Sequence, residues 1–207
     1  QGLIDRTAFT GQHGMRYLTL GSLMLHFPGH KDATGYLREL NISNAVATTS
    51  YKVGGVEHRR TLFASLADDV IIMRIEADKA DALNFGISFR TPIKSDVAAS
   101  NGQLVMRCNG VEQEGIPAAL RAQCRVQVKC DGEVRSNGDK MDICNATVAT
   151  LYISAATNYV NYKDVSGDES KRSADALEKA LARSYEKAFK ARPRHCKQPS
   201  KVLTAKH

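Results

Sequence analysis

The chain has 207 residues, 43% of them hydrophobic and 25% charged, with a formal net charge of +7. That apolar content over this length supports a buried core in one domain and excludes an intrinsically disordered chain. The positive charge does not indicate nucleic acid, because Arg192, Arg194, Lys197, Lys201 and Lys206 lie in an acid-free tail, and without them 24 basic residues face 22 acidic ones; the tail reads as a solvated basic segment.

Tyr17 to Phe27 is the first predicted strand, closed by Pro28-Gly29. Its apolar stretch from Leu18 is too short to cross a bilayer, and Gln1 to Asp5 carries no basic stretch of the kind that opens a signal peptide. The chain does not begin with Met, so we expect a fragment or a trimmed product. Tyr36 to Leu40 and an alternating run from Ala45 to Val53 lead to Gly54-Gly55, and a second alternating run follows from Val56 to Ala64. Two glycines between two period-two runs predict a hairpin with a primed two-residue turn.

Asp69 to Ala77 is a mostly apolar strand, and Leu83 to Arg90 alternates Leu83, Phe85, Ile87 and Phe89. Asn101-Gly102, Asp131-Gly132 and Asn137-Gly138 mark tight turns, separating strands around Leu104 to Cys108, Cys124 to Cys130 and Val148 to Ser154. Short strands with regular turn signals predict an antiparallel β-sandwich. One helix is predicted from Asp168 or Ser170, with an apolar stripe of Leu177, Leu181, Tyr185 and Ala188.

The residue inventory offers little chemistry. The five cysteines are widely spaced, and none forms a C-x-x-C pair. His26 and His30 flank Pro28-Gly29 and so share no helix face, and no carboxylate completes a metal set. No metal and no cofactor is expected, and no phosphate loop or nucleophile elbow is present. Asp68-Asp69 and Glu112-x-Glu114 read as turn and loop charges. Trp is absent and aromatic content is 6%, which argues against a free-standing lectin built on sugar stacking. The loop from Thr157 to Asp168 is the best candidate site: Asn158, Asn161, Tyr162, Lys163 and Asp164 crowd polar groups after an apolar strand, either to contact a ligand or to hydrogen-bond the loop's own backbone.

Four pieces in order, Tyr17-Leu18-Thr19-Leu20-Gly21-Ser22-Leu23, Tyr36-Leu37-Arg38-Glu39-Leu40-Asn41, Arg60-Thr61-Leu62-Phe63-Ala64-Ser65 and the segment from Ser154 to Asp168, resemble the N-terminal β-sandwich domain of the family 95 glycoside hydrolases, the inverting α-L-fucosidases. The resemblance runs from about Met15 to Ala191. It departs from the family at Ser22, where an Asp is usual. It also lacks the family's earlier Leu-Gly-Asn-Gly-x-Leu-Gly stretch, so a sandwich incomplete at its N-terminus and one unpaired sheet edge are expected.

The resemblance implies a mainly β super-sandwich over residues 1–167, a linker helix over 168–191 leading toward a helical catalytic barrel, and a basic tail over 192–207, whose two prolines break the family pattern and suggest an aberrant end. It implies that the two carboxyl groups of an inverting glycosidase lie on that barrel, that the substrate of the whole enzyme is a fucosylated glycan, and that the enzyme is exported. Asn158, Asn161, Tyr162 and Asp164 are then expected at a substrate or domain interface. A stand-alone carbohydrate-binding module is the rival reading, since a sandwich supports many functions; a relative acting on galactose or another sugar is a third.

Overall fold

The computed structural model describes residues 19–112 and 115–191, together with the backbone of 202–206. Twelve strands precede the helices: β1 (Ser22–His26), β2 (Thr34–Asn41), β3 (Val46–Val53), β4 (Val56–Ser65), β5 (Val70–Ala77), β6 (Leu83–Arg90), β7 (Ser95–Ser100), β8 (Gln103–Asn109), β9 (Arg121–Cys130), β10 (Glu133–Asn137), β11 (Lys140–Ala146) and β12 (Val148–Thr157). Helices α1 (Glu169–Leu181) and α2 (Tyr185–Ala191) follow, then β13 (Val202–Lys206).

Among the described residues the strands form two antiparallel sheets. The smaller has the order β1-β6-β11-β10, and the larger has nine strands in the order β13-β2-β3-β4-β5-β12-β9-β8-β7. The hairpin forms as read: Gly54 and Gly55 take φ values of 56° and 81°, and β3 pairs with β4 from Val46↔Phe63 to Val53↔Val56. Both turn positions need positive φ, which glycine adopts without a Cβ penalty.

The core lies between the sheets. Leu83, Phe85 and Ile87 of β6, with Met141 and Ile143 of β11, meet Ile75, Leu104, Val126, Val128, Ala149 and Leu151 of the large sheet. A second cluster covers the other face of the large sheet, where Phe63, Ile72 and Tyr152 pack against Leu177, Ala180 and Ala188 of the helices. β12 and the middle of β5 are therefore covered on both sides, which explains why the stretch from Val148 to Ile153 is apolar on both faces apart from Thr150, whereas Ile71 near the start of β5 remains exposed. The fold is a β-sandwich with a helical third layer.

The structure modifies several expectations. The first strand begins at Ser22; Tyr17 and Leu18 lie outside the described residues. β7 and β10 are extra strands whose sequences, Ser-Asp-Val-Ala-Ala-Ser and Glu-Val-Arg-Ser-Asn, are too polar or too small to signal burial. The predicted helix is two helices. Asp168 caps α1 by accepting from the Lys171 amide at 2.8 Å, while Ser184 Oγ accepts from the Lys187 amide at 3.3 Å and restarts the helix as α2. Part of the tail read as solvated is a strand, since the backbone of Val202–Lys206 pairs with β2.

Asp68, read as a turn charge, is wholly buried. It accepts from Ser65 Oγ at 2.7 Å, and the Arg183 guanidinium, from the joint between α1 and α2, lies 3.3 Å from its carboxylate. The β4–β5 turn thus fixes the bend of the helical layer.

Candidate functional site

The Thr157–Asp168 loop leaves the end of β12 and runs to the cap of α1. Asn158, its second residue, is fully buried. Its Oδ1 accepts from the Arg121 amide at 2.7 Å, and its Nδ2 donates to Ala119 O at 2.9 Å and Val165 O at 2.7 Å. Its own backbone adds an N–H to Arg121 O at 3.1 Å and a carbonyl that accepts from Gly167 N at 3.0 Å. One amide side chain therefore staples the loop before β9 to both ends of this loop.

The tip of the loop is a small closed turn. Asn161 and Asp164 exchange backbone hydrogen bonds at 3.1 and 3.0 Å. Asn161 Oδ1 accepts from the Lys163 amide at 3.0 Å, and Asp164 Oδ1 from the Ser166 amide at 2.8 Å. Hydrogen bonds from the Ser166 hydroxyl and amide, with the charge of Arg172 nearby, hold the Asp164 carboxyl below its ordinary value. Arg172 of α1 donates to Thr157 O at 3.0 Å and Tyr159 O at 2.8 Å. Its guanidinium presses on Gly167, where a Cβ would sit 2.8 Å from Arg172 Cζ. Three of the candidate residues, Asn158, Asn161 and Asp164, thus direct side-chain oxygens into their own or the adjacent backbone.

Tyr162 differs, for it stands at the tip with 83% of its surface exposed and Lys163 Nζ 5.3 Å from its ring centre. Tyr159, Val160 and Val165 on the same loop are exposed, as are Val111, Ile116 and Leu120 on the loop that Asn158 staples to it. Beside them a small apolar cavity of about 130 Å³ is lined by Leu20, Ile93, Cys108 and Leu120 among others. One end of the sandwich therefore presents an apolar surface on two loops that are fixed to each other.

A second concavity was not foreseen from the sequence. On the helical side of the large sheet, Glu39, Asn41, Asn44, Thr48, Arg59, Thr61 and Glu76 line a groove of about 420 Å³ with Tyr185 and Phe189 at its wall. Two carboxylates in one groove raise the question of hydrolysis. Glu39 on β2 and Glu76 on β5 are three strand intervals apart, about 14 Å or more between backbones. Inverting catalysis needs carboxyl groups about 6.5–9.5 Å apart, and Glu76 Oε1 already accepts from Arg74 Nε at 2.9 Å.

A buried polar cluster also lies on the inner face of the hairpin. Tyr51 OH meets His30 Nδ1 at 3.0 Å and accepts from Arg60 at 2.9 Å, while the Arg60 guanidinium sits 4.3 Å over the Phe27 ring. His58 stacks on Tyr51, its cross-strand partner, and is 3% exposed. Burial first, then the charges of His30 and Arg60, push His58 below its ordinary 6.5, against a smaller upward pull from Asp78. No group of three or more His, Cys, Asp or Glu among the described residues is placed to hold a metal ion.

The described residues form a two-sheet β-sandwich with a helical strap along one face. The family model of the glycosyl hydrolase family 65 N-terminal domain matches residues 1–162, and the chain belongs to that family. Alpha-L-fucosidase 2 of Arabidopsis thaliana is 31% identical over 180 residues, a match covering 75% of this chain and 21% of the plant protein. A solved human-microbiome protein bearing the name kojibiose phosphorylase shares the fold, with a TM-score of 0.50 at 8% identity over 88% of this chain and 29% of its own. The chain thus spans less than a third of either relative. A glycoside hydrolase N-terminal sandwich, expected from four short sequence pieces, is what the comparisons find, under a family model numbered 65 where those pieces pointed to 95.

Proposed function

We propose that this chain is the non-catalytic N-terminal sandwich of an inverting, family 95 type α-L-fucosidase, whose whole polypeptide releases fucose from glycans without a cofactor. The observation that carries this reading is the 31% identity with alpha-L-fucosidase 2. The reacting carboxyl groups then belong to a helical barrel elsewhere in the same polypeptide. This agrees with the short span of the chain relative to its relatives.

In this reading the apolar loop end is where the barrel docks. Tyr159, Val160, Tyr162, Ile116 and Leu120 would cost solvation free energy if left in water as one patch, and docking against a partner domain removes that cost. Asn158, Asn161 and Asp164 shape the loops that carry these side chains, and Tyr162 makes the contact. In the full-length polypeptide, Tyr162→Asp combined with Val160→Asp is expected to split one thermal transition into two by calorimetry, with the isolated chain's melting unchanged. A single unaltered transition would overturn the docking assignment.

A further inference from the structure

The groove between the large sheet and α2 has the chemistry of a sugar site. Its floor follows from strand register: Glu39 faces Thr48 and Thr48 faces Thr61, so these three form one row across β2, β3 and β4. Asn41 and Val46 form the next row, and Arg59 and Glu76 pair on the other side. These positions share the face that the helices cover farther along the sheet, where Phe63 and Ile72 are apolar. At the groove the same face turns to carboxylates, amides, hydroxyls and a guanidinium, bounded by a vertical wall. Tyr185 and Phe189 of α2 form that wall, with ring centres 5.7 Å apart and planes inclined by 20°.

The lining selects among ligand classes. Arg74 already neutralises Glu76 and also lies 3.7 Å from Glu186, which leaves Glu39 and Arg59 as opposite charges. The site therefore favours an uncharged ligand over a phosphate, an acidic polymer or a polyamine. An apolar ligand would strand the floor's polar groups. Hydroxyl pairs suit them, because a carboxylate accepts and a guanidinium donates in the paired geometry that adjacent hydroxyls present, and the aromatic wall, whose Tyr185 ring already carries the Arg74 guanidinium 4.5 Å over it, offers apolar surface to the C–H groups of a pyranose ring. Asn44 lines the groove as well, with its Oδ1 turned inward and without a hydrogen-bond partner in the structure. The volume of about 420 Å³ falls in the range of small-molecule sites.

We infer that this groove is a saccharide-binding site on the sandwich domain, taking a neutral sugar unit through Glu39, Arg59, Thr48 and Asn44 against the Tyr185–Phe189 wall. The inference rests on the groove alone and stands whether or not the polypeptide acts on fucose. Saturation-transfer NMR with the 207-residue chain and three neutral probes, fucosyllactose, kojibiose and maltotriose, tests it. At least one probe is expected to receive saturation, with titration weakened about tenfold or more by Glu39→Gln, the loss of roughly one charge-assisted hydrogen bond. Thr48→Trp, which fills the floor, should abolish binding, and both variants should melt as the parent does by circular dichroism. Absence of transfer to all three probes, or binding indifferent to both substitutions in folded protein, would overturn the assignment.

Discussion

Asn158 shows how one side chain can set the geometry of a surface. Replacing it with Ala leaves the Arg121 amide and the Ala119 and Val165 carbonyls without their partners at a fully buried site. The expected loss is about 2–4 kcal/mol, read by chemical denaturation; an unchanged midpoint would show that water replaces the amide without cost. His58 makes a separate prediction through pH. Its folded-state value lies below the ordinary 6.5, so the unfolded chain binds the proton more readily than the folded one. Its stabilising contribution is then complete above 6.5 and lost as pH falls through the folded value. Melting temperature should fall between about pH 7.5 and about pH 5, and His58→Phe should reduce that slope; a slope unaltered by the substitution would assign it to other groups. The importance of the Thr157–Asp168 loop was legible from its crowding of polar residues. The staple was not, because Arg121 and Ala119 stand 37 and 39 residues away in sequence and only the pairing of β9 with β12 brings them near.

At the scale of elements, the helical layer is held by an apolar stripe and by polar contacts that include Arg183 with the buried Asp68 and Ser154 with Ser173 O. Leu177→Ala should cost about 2–4 kcal/mol, since Leu177 is 2% exposed between α1 and the sheet. Arg183→Ala should cost less, about 1–2 kcal/mol, because Arg183 is 40% exposed although the Asp68 carboxylate it faces is fully buried. Denaturant titration of both variants checks the order, and a larger loss for Arg183 would mean that the ion pair, not the stripe, holds the layer. The strands of the hairpin, β5, β6 and β12 could be read because alternation or continuous apolarity reports directly which faces are covered. β7 and β10 could not, being short and polar. The apolar stripe gave the helical face correctly, while the restart at Ser184 was hidden because the helical period runs on through the break.

For the whole molecule, three layers separate two surfaces that sequence order does not connect. The apolar loop end gathers Val111, Ile116 and Leu120 with residues 159–165, and the groove gathers β2 to β5 with a helix more than a hundred positions later. The family was legible from four ordered pieces, since strands with a covered face constrain their residues locally. The groove was not, because its lining residues each look like ordinary solvated strand positions until α2 raises a wall beside them. Composition argued against a lectin-like ring platform, and the wall uses only two rings from a single helix. As proposed, these two surfaces have separate roles, one toward a partner domain and one toward saccharide. Because the polypeptide's chemistry is placed outside this chain, the most direct test compares the purified 207-residue chain with the full-length polypeptide on a fucosylated oligosaccharide, following released fucose and its anomeric form by NMR. The full-length polypeptide should release fucose with inversion while the chain alone releases none; fucose release by the chain alone, or none from the full-length polypeptide, would contradict the account.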